Sequence, residues 1–197
     1  MKIYLIDVKE DFIDVLKSNF EGAAKDGDVI HVVQDTFEHF MNTHQVDCIV
    51  SPANSYGLMD GGYDKAITDY FGDSLIPAVQ SYIRENYFCE QPVGTSFIIP
   101  IPHSEKQLIH TPTMRVPSII KEPLIIYHCM RSTLICAIKN NVNSIVIPVF
   151  GGGCGTVPIN SIARLMRAAY DQIHDQPEKM DWEYAYSRTF KEFEKRE

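Results

Sequence analysis

Ser144-Ile145-Val146-Ile147-Pro148-Val149-Phe150-Gly151-Gly152-Gly153-Cys154-Gly155 is a β-branched run that ends in a cluster of glycines. The apolar run Ser144–Phe150 predicts a buried strand and Gly151–Pro158 a loop, and Ile159–His174 then takes up helical spacing. A second stretch follows the same order. Asp47–Ser51 reads as a buried strand stopped by Pro52, Ala53–Gly62 is an aperiodic loop with Gly57, Gly61 and Gly62, and Tyr63–Phe71 is helical. A loop between a strand and a helix lies at the carboxyl end of the strand, where open α/β sheets take ligands. Glycine lets the backbone approach a ligand closely, and the following helix adds free N–H groups and partial positive charge. Two such loops facing each other would form a cleft for a diphosphate.

The familiar phosphate signatures do not fit. A Walker A loop needs Gly-Lys-Ser/Thr, and Gly151–Thr156 has no lysine. The pattern GxGxxG counted from Gly151 fails at Thr156, and a nucleophile elbow centred on Cys154 fails at the same residue. The rest of the chain sets the fold class. Lys2–Ile6, Val29–Val33, Ser96–Ile101 and Gln107–Thr111 read as strands. Glu10–Phe20, Thr36–His44, Leu75–Phe88 and Pro123–Asn140 read as helices. Strands alternating with helices predict an α/β three-layer sandwich. After the polar break Asp175–Met180, Asp181–Glu197 predicts a surface helix with Trp182, Tyr184, Tyr186, Phe190 and Phe193.

Composition narrows the function. The 197 residues are 45% hydrophobic, enough for one domain with a sizeable core. No apolar run reaches the roughly 20 residues that cross a bilayer, so no membrane partner is expected. The net charge of −8 argues against nucleic acid and leaves a small anion to be held by local backbone amides. Cys48, Cys89, Cys129, Cys136 and Cys154 are odd in number and form no CxxC pair, which points to a reduced, cytoplasmic protein. The seven histidines show no metal-ligand spacing, so neither a metal site nor a cofactor is expected, and His110 reads as a core histidine.

Taken with their order, four segments resemble the macro domain family. Asp47–Asn54 is similar to "DxIVNxAN", Leu58–Ile67 to "GGGVDxAI", Leu108–Thr111 to "xIHT" and Ser144–Gly153 to "SIAxPxxxTG". The resemblance implies a three-layer α/β/α sandwich with a central mixed sheet over residues 1–178, with 179–197 as a C-terminal helical extension. It implies ADP-ribose or a related adenine nucleotide as ligand and an ADP-ribosylated protein as a further partner. By the same resemblance Asp35 receives the adenine amino group beside Thr36, and Asn54, next to Ala53, reads the distal ribose. Gly61, Gly62, Tyr63, Val149, Phe150, Gly151, Gly152, Gly153, Cys154 and Gly155 line the diphosphate and distal ribose. Asp64 matches the aspartate that activates water in the hydrolytic members.

Each of these residues also has a plainer reading. Asp35 fits an N-cap for the helix opening at Thr36, Asn54 an Asx turn, and Asp64 a first-turn carboxylate held by the helix dipole. Cys154 could be activated by a helix N-terminus, and Arg115 could touch a phosphate or stay solvated. The chain departs from the family pattern at Ser51, where an asparagine is usual, in having two adjacent glycines at 61–62 where many members have three, and at Gly155, where many hydrolases have an aromatic residue. Three functions stay open: an ADP-ribosyl or O-acyl-ADP-ribose hydrolase, a non-catalytic module for ADP-ribose or a related nucleotide signal, and a protein-interaction unit that has lost the ligand.

Overall fold

The computed structural model describes residues 1–190. Strand β1 (Lys2–Asp7) leads through α1 (Glu10–Phe20) to β2 (Val29–Gln34), α2 (Phe37–Thr43) and β3 (Cys48–Ser51). The first glycine loop opens into α3 (Gly62–Phe71) and α4 (Leu75–Tyr87), followed by β4 (Phe97–Pro100) and β5 (Gln107–His110). Helix α5 (Ile125–Lys139), strand β6 (Ser144–Pro148), the second glycine loop and α6 (Ile159–His174) complete the body. These elements fall where the hydrophobic periodicity puts them, with ends displaced by a residue or two.

The strands form one sheet in the order β2-β1-β6-β3-β5-β4. Every neighbouring pair is parallel except β4 with β5, so the sheet is mixed. The exception follows from chain length. The connection around Pro102-His103-Ser104 is too short for a crossover and can join only antiparallel neighbours, whereas the parallel pairs are linked through helices. The sheet is covered on both faces, which is why its strands read as nearly unbroken apolar runs. Ile3, Leu5, Val50, Ile109, Ile145 and Ile147 pack in one core with α1, α5 and α6. Tyr4, Ile6, Ile49, Leu108 and Val146 pack in a second core with α2, α3 and α4. Side chains alternate across each strand, so adjacent residues serve opposite cores. Helix α6 shows the matching logic, burying Ile162, Ala163, Leu165, Met166, Ala169 and Tyr170 on one stripe.

The tail differs from expectation. Helix α7 covers only Trp182–Ser187 and buries no residue. It meets the body where Gln172 Nε2 donates to Tyr184 Oη and where Phe190 lies 4.8 Å from the Tyr127 ring. Phe193 and the rest of the expected helix lie outside the described residues. No described helix is long and apolar enough to cross a membrane.

One packing contact ties the fold to the glycine loops. A Cβ at Gly152 would lie 2.5 Å from Phe12 Cε2. The ring of Phe12 therefore buttresses the second loop from α1. Phe12→Ala should cost about 3 kcal/mol of stability and speed amide exchange in residues 151–155. Unchanged exchange in that loop would show that α1 does not support it.

Candidate active site

The ends of β1, β3 and β6 open on one side of the sheet, and both glycine loops line a single cleft there of about 580 Å³. Its wall includes Asp35, Thr36, Ala53, Asn54, Gly61, Gly62, Tyr63 and Asp64. It also includes Val149 and all five residues from Gly151 to Gly155. Phe150 is the exception among the predicted site residues. It is fully buried in the core with α1, α5 and α6, because β-type alternation past Pro148 turns Val149 to the cleft and its neighbour inward.

The second loop is folded so that several of its carbonyls are used while the amides at its start are not. Gly151 O accepts from Val157 N–H at 3.1 Å, Gly153 O from Thr156 N–H at 3.0 Å, and Gly155 O from Ile120 N–H at 3.0 Å. Among the described residues, the N–H groups of Gly151, Gly152 and Gly153 have no protein acceptor. The first loop behaves alike at its far end. Helix α3 starts after Gly61, its first internal bond is from Lys65 N–H to Gly61 O at 3.1 Å, and the Gly61, Gly62 and Tyr63 N–H groups are left over. Gly62 has φ +56° and Gly151 φ +74°, the left-handed region where glycine carries no Cβ penalty.

The near end of the first loop is stitched down instead. Ser55 N–H donates to Met114 O and Arg115 O, each at 3.2 Å, and Thr113 N–H donates to Ala53 O at 3.0 Å. The buried Asn54 amide is spent on its own turn. Its Oδ1 accepts from Tyr56 N–H at 3.0 Å and Leu58 N–H at 3.3 Å, and its Nδ2 donates to Leu58 O at 2.7 Å. The turn-forming reading of Asn54 is therefore what the hydrogen bonds show, with one amide hydrogen left over.

Asp64 is buried in the first turn of α3, and Ser51 Oγ donates to its Oδ1 at 2.7 Å. Burial pushes its pKa from the ordinary 3.8 up to about 7, the Ser51 bond pulls the other way, and the charge of Asp60 adds to the rise. Next to it, the hydroxyl of Tyr63 is buried with no hydrogen-bond partner among the described residues, and burial pushes its pKa up. Its ring meets Phe37 edge-on at 5.3 Å. An orphaned donor on a cleft wall is a group a ligand could satisfy.

Asp35 does not cap α2. Thr36 does, accepting from His39 N–H at 3.3 Å, while Asp35 accepts from Thr36 N–H at 2.8 Å and pairs with His39 Nδ1 at 2.7 Å. Arg115 is exposed and ion-paired, and it is not among the residues lining the cleft. Its guanidinium forks onto Glu90 at 2.6 and 2.9 Å, and Tyr56 Oη donates to the same carboxylate at 2.8 Å. His110 sits in the core, paired through Nδ1 with Gln91 Oε1 at 2.6 Å, and burial pushes it down to about 3, so it stays neutral. Cys154 is an exposed free thiol with no acid–base partner within hydrogen-bonding distance among the described residues. No group of three or more His, Cys, Asp or Glu among those residues is gathered as a metal ion would need.

The residue at 155 has a steric explanation. A Cβ there would lie 2.6 Å from Ile120 Cδ1 and 2.8 Å from Gly151 O, so an aromatic side chain has no room. Asp7, Val8 and Lys9 on the cleft wall were not predicted. They follow a strand and precede a helix, the same rule that marked the glycine loops, but carry no glycine to draw attention.

A family model described as Macro domain matches residues 50–166. An uncharacterized protein of Aquifex aeolicus is 32% identical over 124 residues, covering 61% of this chain and 70% of that protein. An Oceanobacillus iheyensis macrodomain solved with ADP superposes with TM-score 0.56 at 25% identity, over 64% of this chain and 68% of its own. The macrodomain of Mycobacterium tuberculosis DarG shares the fold with TM-score 0.57 at 17% identity, over 68% of this chain and 86% of its own. A Trypanosoma brucei macrodomain in complex with ADP-ribose gives 0.55 at 24%, over 65% and 51%.

The raised pKa of Asp64 has a stability consequence. The folded chain holds this proton more tightly than the unfolded chain, so the stability it carries is full below about pH 4 and is lost as pH rises through about 7. Asp64→Asn, a neutral isostere, should therefore be about 1–3 kcal/mol more stable than the parent at pH 8 and about equal to it at pH 4. Denaturant midpoints across this range check it. A difference that does not change with pH contradicts the assignment.

Proposed function

This chain belongs to the Macro domain family, and from that premise we propose that its cleft binds ADP-ribose or a close derivative and that Asp64 serves hydrolysis of a bond at the distal ribose. The observation that carries the reading is the set of acceptor-free amides on two loops of one cleft, with a buried carboxylate on its wall. Related macrodomains from Oceanobacillus iheyensis and Trypanosoma brucei were solved with ADP or ADP-ribose, which supports the ligand class.

In this reading the diphosphate sits on the Gly61–Tyr63 and Gly151–Gly153 amides, which act as oriented donors and need no cationic cluster. Asp35 lies at the adenine end. Asp64 in its ionised form takes a proton from water as the oxygen attacks at the distal ribose linkage. In its protonated form it returns the proton to the leaving group. A carboxyl with a pKa near 7 suits both steps.

A second reading, recognition without cleavage, is favoured by the commitment of the Asn54 amide to its own turn and by Ile120 filling the space beside Gly155. In either case we take residues 1–178 as the domain and 179–197 as its extension. The free thiols suit a reducing, cytoplasmic setting.

Saturating ADP-ribose should stabilise the chain by about 2.7 kcal/mol at about 100 Kd. Release of ADP-ribose from a mono-ADP-ribosylated protein should rise with pH as Asp64 ionises through about 7, and Asp64→Asn should lower it by about 10²–10⁴-fold. Tight binding with no release favours the recognition module. No binding of any adenine nucleotide overturns both readings.

A further inference from the structure

Like the β2–α2 connection, the turn before α1 reaches the cleft from outside the family-matched residues 50–166. It is the β1–α1 connection, Asp7-Val8-Lys9. Asp7 Oδ1 accepts the Lys9 N–H at 2.9 Å, which closes the turn and leaves Lys9 as the residue before α1. From there the ammonium lies 4.2 Å over the Phe12 ring and donates to Gly152 O at 3.3 Å. We propose that Lys9 is the phosphate-binding cation of this cleft, contacting the diphosphate of a bound nucleotide where it rests on the second glycine loop. The proposal rests on reading the cleft as an ADP-ribose site.

Charge on the cleft wall supports it. Asp7, Asp35, Asp60 and Asp64 all line the cleft, and Lys9 is the one lysine or arginine among the described lining residues. Arg115 is clamped by Glu90, and Lys65 is paired with Asp69 at 2.6 Å. A diphosphate entering here meets four acidic side chains and needs a counter-charge close to where its oxygens are held. Lys9 is placed for this, because its ammonium is already bonded to the carbonyl of a residue whose own N–H is free.

The present bond is also easy to exchange. It is long, exposed and made to a neutral carbonyl, whereas a phosphate oxygen gives a charge-assisted bond of roughly twice the strength. The Phe12 ring guides the Lys9 side chain throughout, so little has to be reordered on binding. The Lys9 side chain therefore adds a point charge to a site that otherwise works through main-chain dipoles.

Calorimetry of the full chain with ADP-ribose, at low and at physiological salt, tests this with Lys9→Met and Lys9→Arg. Lys9→Met should raise Kd about tenfold and flatten the dependence of Kd on salt, while Lys9→Arg should keep most of both. Met is an unbranched, exposed replacement that leaves the fold intact, which a thermal melt verifies. If Lys9→Met binds as tightly as the parent with the same salt dependence, the Lys9 proposal is overturned and the reading of the cleft stands. If the parent itself does not bind ADP-ribose, the reading of the cleft fails and takes the proposal with it.

Discussion

A peptide N–H that has lost its internal acceptor must find one in water or in a ligand, and leaving it buried and unpaired costs about 1–3 kcal/mol. The cleft of this protein is built around a row of such groups. The second loop commits the Gly151, Gly153 and Gly155 carbonyls to hydrogen bonds and leaves the amides of 151–153 without partners among the described residues. The first turn of α3 does the same with Gly61, Gly62 and Tyr63, for the simple reason that a helix start has no preceding turn to accept from them. Water can serve these donors while the cleft is open. A ligand with several closely spaced anionic oxygens serves them together.

The topology brings the donors to one place. Strands β1, β6 and β3 lie side by side in a parallel array with β6 in the middle, so their carboxyl ends lie on the same edge and their outgoing turns converge. Packing then limits what those turns can be. Phe12 presses on Gly152 and Ile120 on Gly155, so those two positions have no room for a side chain, while Gly151 also holds a positive φ. The same crowding leaves no space for an aromatic ring at 155. The acidic character of the chain does not oppose this design, because fixed dipoles act over a few ångströms whereas the net charge is largely screened. It does place four acidic side chains on the cleft wall, with Lys9 the one lysine or arginine among the described lining residues.

Much of this was legible from residues alone. Periodicity located the helices of the body, and the strand–glycine–helix order located both loops on the ligand edge of the sheet. Where the structure adds to the sequence reading, one cause recurs, which is that sequence spacing says little about where a side chain points. Phe150 adjoins the loop but belongs to the core. Asn54 has the donor and acceptor to read a ribose, yet its own turn uses them first. Asp35 was a fair N-cap candidate by type, and Thr36 takes that role one residue later. The bond from Ser51 to Asp64 joins residues on a strand end and a helix start, and only the folded chain brings them together. For the tail, the aromatic residues predict one long helix, whereas among the described residues of that segment only Trp182–Ser187 is helical.

The claim that both loops grip one diphosphate can be measured at the donors themselves. Amide proton shifts of the assigned chain, followed by nuclear magnetic resonance during titration with ADP-ribose, report each N–H separately. The account predicts that Gly61, Gly62, Gly151, Gly152 and Gly153 move downfield together, with one shared dissociation constant. Movement confined to one loop, or shifts only at residues far from both, would contradict it.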